Sequence, residues 1–252
     1  MPELPDVEGF RRIDRVEVAD TGVLHGVTAR RLRSTLQGRV LGTPERHGKW
    51  LLAPTEDGPA LLLHFGMTGR LDCRPAGERA HRHDRVLLTL GDDRLCYRDQ
   101  RKLKGLWYAP QGADDDVVRR TLAGQGPDAA GLSRTELDGL LGGRRGGVKS
   151  VLLDQSAVAG LGNLLADEIL WRARLRPGRR AAELTPAERR TLHTELRRTL
   201  RPAMRAGRVP DRPSWLTGHR DDPDGRCPRC SGTLRRDRIA GRATVWCPHC
   251  QR

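Results

Sequence analysis

The feature that most constrains this chain is a pattern of four cysteines at its C-terminal end. Cys227-Pro228-Arg229-Cys230 is followed, after sixteen residues, by Cys247-Pro248-His249-Cys250. Each Cys-x-x-Cys turn presents two thiolates to one tetrahedral ion, which is the spacing of a zinc ribbon. A segment of roughly 25 residues cannot bury a core of its own, so the metal supplies the folding energy. A disulfide pair is the alternative, but it needs a secretory context, and no signal peptide opens the sequence. Four thiolates leave no open coordination position, so the expected cofactor is one structural Zn2+. Arg235, Arg236, Arg238 and Arg242 lie between the pairs, with Thr244 close behind. An arginine-rich β-hairpin can grip phosphates, though zinc ribbons also serve as protein contacts.

Charge points the same way. Lysine and arginine together number 46, aspartate and glutamate 32, giving a formal net charge of +14 over 252 residues. The basic residues are spread among acids, so there is no basic tail. A folded cationic chain of this size most often meets a polyanion, nucleic acid first. An arginine-rich genome would explain the arginines. It does not explain the lysines, which occur only at Lys49, Lys102, Lys104 and Lys149. No apolar run approaches the roughly 20 residues of a membrane span. The expectation is a cytoplasmic protein with no membrane partner, in which Cys73 and Cys96 are ordinary half-buried residues.

Hydrophobic periodicity divides the chain. From Asp6 to about Val18, Val7, Phe10, Ile13 and Val16 recur at helical spacing and predict a short leading helix. From Val40 to about Ala109 strand signals take over, at 50–52, 60–65, 86–90, 95–97 and 106–108, with Gly91-Asp92-Asp93 as a hairpin turn. Gln111 to Asp128 is polar and acidic and reads as a linker. Helical periodicity follows. Ser133-Arg134-Thr135-Glu136 has the form of a capping box, and residues 149–157 read as a second helix. Gly160-Leu161-Gly162-Asn163 breaks the pattern before a third helix over 164–175. Thr185-Pro186-Ala187-Glu188 is another capping box, with proline at the first helical position, and its helix is expected to stop before Pro202. The expected architecture is α+β and multidomain: an N-terminal β-sandwich with a leading helix over residues 1–122, a helical domain over 123–212 and the zinc module over 213–252.

The amino terminus carries a different kind of signal. Pro2 is small enough for removal of Met1, which leaves a free secondary amine beside the Glu3 carboxylate. An α-amino group titrates near pH ~8, far below lysine. Such an amine is a usable nucleophile for a carbon that can form a Schiff base. Proline after methionine is common, so the dipeptide alone decides nothing.

Three stretches give it context. They are the opening Met1-Pro2-Glu3-Leu4-Pro5-Asp6-Val7-Glu8, the run Gly160-Leu161-Gly162-Asn163-Leu164-Leu165-Ala166-Asp167-Glu168, and the finger with Arg242-Ala243-Thr244 before its second cysteine pair. Together they resemble the formamidopyrimidine-DNA glycosylase and endonuclease VIII family of bacterial base-excision repair, in the right order and across essentially the whole chain. The resemblance implies a bifunctional DNA glycosylase and abasic-site lyase, monomeric and nucleoid-associated, acting on double-stranded DNA that holds a damaged base or an abasic site. The second stretch would be the family's helix–two-turn–helix signature.

The resemblance also implies roles. A glycosylase on duplex DNA flips its target nucleotide into a pocket. Pro2 would attack C1′ of the flipped sugar and form an imine, Glu3 would move protons there, and the strand would be nicked by β- or β,δ-elimination. Lys49, in His47-Gly48-Lys49-Trp50, is similar to a strand lysine facing the lesion phosphates. Lys149 falls where the family has another DNA-facing lysine, and Arg242 where the finger meets DNA. Asn163 is similar to the phosphate-binding asparagine, and it can also cap the helix that restarts there. Met67 would fill the void left by the base, and Arg101 would pair with the orphaned opposite base.

Departures from the pattern are equally specific. Asp6 stands where glutamate is usual. Leu103 replaces an aromatic wedge, and Lys104 intrudes before Gly105; a leucine can still wedge a base step, with less stacking. Between Pro202 and Cys227 there is little room for a long loop closing over a flipped 8-oxoguanine. The lesion is therefore left open. Two further readings compete: a catalytically silent member of the family that binds damaged DNA, and a zinc-ribbon nucleic-acid binder of transcription or translation. Intact Pro2, Glu3 and Lys49 speak against the first, and the amino terminus against the second.

Overall fold

The computed structural model describes residues 12–252, so Pro2, Glu3 and Asp6 lie outside the described residues. The chain divides into two compact units between Gly124 and Gln125. No helix of the described residues is long and apolar enough to cross a membrane.

The N-terminal unit is built from strands β1 (Arg15–Val18), β2 (Leu24–His25), β3 (Glu45–His47), β4 (Trp50–Pro54), β5 (Ala60–His64), β6 (Arg70–Pro75), β7 (Asp84–Leu90), β8 (Asp93–Arg98) and β9 (Gly105–Ala109), with helices α1 (Ala29–Leu36) and α2 (Asp116–Ala123). One sheet runs β1-β7-β8-β6 and the other β2-β9-β5-β4-β3. Pairing is antiparallel except between β2 and β9. Alternate residues of both sheets point into a shared core: Val86 and Leu88 from β7, Leu61 and Leu63 from β5, Tyr97 from β8 and Leu106 from β9. That is a β-sandwich. The hairpin expected at Gly91 is present, with Leu90 opposite Asp93.

β5 is apolar on both faces, and both are covered. Its Leu62 and Ala60 join Leu52, Ala109 and Val118 in a second cluster under α2. This corrects the reading of residues 111–128 as linker. Asp115 caps α2 by accepting from the Val117 N–H at 3.0 Å, and Val117, Val118 and Leu122 pack on the sheet. Its acids, which look like linker composition, serve as cap and surface pairs. The leading helix also needs correction. Arg15–Val18 is a strand, paired Val16 to Leu88, and Ile13 and Val16 are buried in the sandwich. The β-branched side chains prefer the pleated surface, and sandwich burial overrides a helical spacing of only four residues. The earlier part of that predicted helix lies outside the described residues.

The C-terminal unit contains α3 (Arg134–Gly142), α4 (Val148–Leu153), α5 (Asn163–Arg172), α6 (Pro186–Arg205) and the hairpin β10 (Arg235–Ile239) with β11 (Arg242–Trp246). Both predicted capping boxes form, at Ser133–Glu136 and Thr185–Glu188. One core of leucines, valines and alanines from α3 to α6 holds the helices together. α6 does not stop before Pro202 but runs on to Arg205. A proline in the last turn forfeits only its own N–H bond, while Leu200 and Ala203 stay buried on either side of it. Ala206 caps the helix and Gly207 follows, its φ of 62° being the left-handed conformation glycine adopts most readily.

The zinc module is not a separate bead. Leu234, Val245, Cys227 and Cys247 share a small core with Trp171 of α5 and Leu216. Gln251 adds backbone bonds, accepting from the Cys247 N–H and donating to the Leu175 carbonyl, both at 2.8 Å.

Candidate nucleic-acid interface

Two groups of the predicted residues come together, one on each unit. On the N-terminal unit, Gly48 and Lys49 form the turn joining β3 to β4, with His47 opposite Trp50. Lys49 thus sits at a hairpin turn rather than within a strand. Trp50 pairs with His64 across the sheet, and their rings meet edge-on at 4.7 Å. The His64 Nδ1 accepts from the Gly66 N–H at 2.9 Å. Burial, reinforced by the charges of Lys104 and Lys49, pushes the His64 pKa down from 6.5 to about 4. His64 is therefore a neutral imidazole between two cations at neutral pH, a residue the motif reading passed over.

Next to it the chain turns sharply through residues 66–69, closed by the Gly69 N–H donating to the Phe65 carbonyl at 2.7 Å. Met67 lies in this turn and is 69% exposed. The segment 99–103 supports it. Buried Asp99 accepts from the Thr68 hydroxyl at 2.6 Å and the Arg101 N–H at 3.1 Å, and Arg101 Nη1 reaches Met67 Sδ at 3.4 Å. Leu103, 47% exposed, lies against Gly66, so that a Cβ there would come within 3.3 Å of its own. Lys102 is held elsewhere, in an ion pair with Asp20 at 2.9 Å. Met67, Arg101 and Leu103 thus form an apolar and cationic tip above a hydrogen-bonded base. Exposed large apolar side chains held this firmly mark a contact surface.

On the C-terminal unit the site centres on the Ala243 carbonyl. Ala240 (φ 50°) and Gly241 (φ 71°) make the two-residue turn between β10 and β11. Positive φ at both turn positions is the type I′ pattern. The turn leaves Arg242 exposed at the start of β11. The next carbonyl, of Ala243, accepts from Asn163 Nδ2 and from Arg220 Nη2, each at 2.8 Å. Asn163 is the first residue of α5 and does not cap it; the helix has no side-chain cap. Its leading N–H groups and positive dipole end are thus available to an anion.

Lys149 requires a correction. It is fully buried rather than DNA-facing. Its Nζ lies 2.6 Å from Asp167 and 2.7 Å from the Thr244 hydroxyl, which ties α4 to α5 and to β11. Asp167 also meets Arg220 at 3.3 Å and the Val245 N–H at 3.2 Å. Burial lowers the Lys149 pKa and raises that of Asp167, each against the attraction between them. The reason is a partner on another helix: the Asp167 carboxylate, inside an apolar face of α5, demands a counter-ion and Lys149 supplies it. Asp167 and Glu168 were the missed signal, two acids in a run of apolar residues; Glu168 is equally buried and pairs with Arg172 at 2.7 Å. Breaking a buried pair by removing one partner costs about 3–5 kcal/mol. Lys149→Met is therefore expected to lower the urea midpoint of the C-terminal unit sharply, and Lys149→Met with Asp167→Leu to regain part of the loss. Equal stability of the single variant and the wild type in urea melts would refute the pairing.

The four cysteines fit one zinc. Their Sγ atoms lie within 4.8 Å of one another, with Cys227 to Cys250 at 3.9 Å and Cys230 to Cys247 at 3.6 Å. A tetrahedron with Zn–S bonds of about 2.3 Å has sulfur–sulfur edges of about 3.8 Å. Trp171 Nε1 donates to the Cys227 sulfur at 3.3 Å, an outer hydrogen bond of the kind that orients a ligand. The finger holds one structural zinc.

A β-sandwich carrying an exposed apolar tip, joined to a helical unit whose uncapped helix meets an arginine-bearing zinc hairpin, defines a DNA-binding protein of the helix–two-turn–helix class. The sequence matches the formamidopyrimidine-DNA glycosylase N-terminal domain over residues 1–106, the H2TH domain of the same glycosylase over 126–211, and the zinc finger found in FPG and IleRS over 225–252. Curated formamidopyrimidine-DNA glycosylases are similar over their whole lengths: that of Roseiflexus sp. (strain RS-1) is 34% identical, with 100% of both chains covered. That of Streptomyces coelicolor is 34% identical, with 100% of this chain and 98% of the relative covered. Among solved structures, Lactococcus lactis Fpg in complex with DNA containing an abasic site is 26% identical at a TM-score of 0.81, covering 96% of this chain and 93% of that one. A mutant of the same Fpg, bound to DNA containing Fapy-dG, reaches a TM-score of 0.83 at 25% identity over the same shares. The chain belongs to the formamidopyrimidine-DNA glycosylase family, whose members are DNA N-glycosylases with abasic-site lyase activity.

Proposed function

We propose that this chain excises a damaged base from duplex DNA through a Schiff base at Pro2 and then nicks the strand by β- or β,δ-elimination. The observation that carries the reading is the tip formed by Met67, Arg101 and Leu103. Among the described residues its apolar side chains stay largely exposed, and a flipped base leaves a gap of the kind such side chains fill. Pro2 supplies the nucleophile and Glu3 moves protons at the sugar, with Asp6 helping to hold the terminus. Lys49 offers charge to the reacting centre, next to a histidine that stays neutral. Asn163, the α5 terminus and Arg242 hold backbone phosphates. Lys149 acts from inside, by fixing the hairpin that carries Arg242. The protein works as a monomer at the nucleoid.

The substrate is best sought among ring-opened purines and abasic sites, two of the lesions named for solved relatives, which also include an oxidised pyrimidine. The segment between α6 and the finger favours an open pocket. It folds down on α5, with Trp215 and Leu216 buried and the Thr217 N–H donating to Glu168 at 3.2 Å. Duplexes carrying a ring-opened purine, 8-oxoguanine, an oxidised pyrimidine or an abasic site should be nicked with the abasic site and the ring-opened purine leading. Binding of abasic DNA without any nicking would sink the lyase and favour the silent reading. Preference for 8-oxoguanine over every other base would overturn the open pocket.

A further inference from the structure

α6 reads PAERRTLHTELRRTLRPAMR and carries six arginines against two glutamates. At 3.6 residues per turn, Arg190, Arg197, Arg198, Arg201 and Arg205 fall within an arc of about 100° and span about 22 Å. All five are exposed. The opposite side of the helix buries Leu192, Leu196, Leu200 and Ala203, and α6 packs there on α5 and α3. The stripe therefore points away from α5, the helix whose N-terminus belongs to the interface described above.

Within the helix a single stripe arginine, Arg198, meets an acid. Glu188 is taken up in the capping box and by Arg179, and Glu195 pairs only with Arg198, at 3.2 Å. Arg197 reaches the Ala130 carbonyl at 3.4 Å. Among the described residues, the guanidinium groups of Arg190, Arg201 and Arg205 have neither a hydrogen bond nor an ion pair. In α2 and α3 exposed arginines are paired, Arg119 and Arg120 with Asp116 and Arg134 with Asp138; α1 has Arg30, Arg31 and Arg33 with no acid beside them, but over about two turns rather than five. An arginine-rich genome explains the arginines but not this segregation. Like charges at i,i+4, as at Arg197–Arg201 and Arg201–Arg205, each cost a few tenths of a kcal/mol, about 0.2–0.5. Nothing in α6 offsets that cost, and a polyanion does.

We propose that this stripe is a second duplex-DNA contact, separate from the lesion interface, which holds the backbone phosphates of another DNA segment without reading sequence. The proposal rests on the DNA-binding reading above for its choice of polyanion. Its charges are arginines at helical spacing with no base-reading side chains among them, suited to phosphates alone. A protein with two such surfaces captures a new segment before it releases the old one.

The test follows dissociation from a labelled abasic duplex during a chase with rising concentrations of unlabelled, undamaged duplex. For wild type the dissociation rate should climb in proportion to the competitor. In the Arg190→Gln/Arg201→Gln/Arg205→Gln variant the climb should vanish while the rate extrapolated to zero competitor stays the same. The same variant should lose up to about 2.7 from the slope of log K against log salt on long undamaged duplex, at about 0.9 per phosphate contact. Its melting curve, matched to wild type, excludes a folding defect, and single replacements of each arginine give graded effects if the triple does not fold. A wild-type rate independent of competitor, or a climb retained in the folded variant, overturns the proposal. Acceleration by phosphatidylserine vesicles but not by duplex overturns the choice of DNA. Loss of nicking with the climb intact strikes the glycosylase reading alone.

Discussion

Pro2→Gly is expected to reduce borohydride trapping on abasic-site DNA by about 10²-fold or more, with DNA affinity retained. Glycine still offers an α-amine, so the loss measures orientation as well as nucleophile. A pyrrolidine ring ties the secondary amine to Cα in one orientation, which glycine's freely rotating amine lacks; misplacing a reacting atom by about 1 Å is enough to cost about 10²-fold. A chain that keeps a residue in front of Pro2 is a stricter test. Its proline nitrogen is an amide, which cannot form an imine, so trapping and nicking should both disappear. Binding should survive in both variants, because Asn163, Arg242 and the Met67 tip are untouched. Trapping at the wild-type level in an extended chain whose own α-amine is acetylated would place the Schiff base on a lysine and remove the amino terminus from the mechanism.

What the sequence made legible was what local rules govern. Both capping boxes depend on residues three apart, and they form as read at Ser133 and Thr185. The four cysteines needed only their spacing. Strands with a strong apolar run were visible, but β6, which mixes Arg70, Asp72 and Arg74 with Leu71, was not, because its outer face is made of ion pairs such as Arg70–Asp72 at 2.9 Å. α2 was lost for a related reason. Its acids carry out local duties as cap and pair partners, and only the outer face of β5 reveals why a helix lies there. Lys149 failed at longer range. Its position in a motif is local information, but its partner Asp167 lies on another helix and Thr244 on the finger. No spacing rule links them, so a charge that looked exposed is neutralised inside. Met67, Arg101 and Leu103 are brought together by Thr68 and Asp99, a half-buried hydrogen bond between two loops.

That same long-range wiring makes zinc removal the second large effect. A structural zinc contributes an apparent ~10–16 kcal/mol to a small finger, and a two-stranded hairpin alone is marginal in water. The core it would leave, Leu216, Leu234 and Val245 against Trp171, is too small to hold β10 and β11. Cys227→Ser, or chelation, should therefore unfold the hairpin and with it the Ala243 carbonyl. Asn163 and Arg220 then lose their shared acceptor, and Lys149 loses Thr244. The expected result is loss of DNA binding, with release of one zinc per chain and a change in the near-UV signal of Trp171 and Trp246. The N-terminal unit has its own sandwich core, so its unfolding transition should persist unchanged. A chelated protein that still binds abasic duplex with wild-type affinity would show that the hairpin carries no phosphate. A collapse of both transitions together would show that the metal holds more of the chain than the finger.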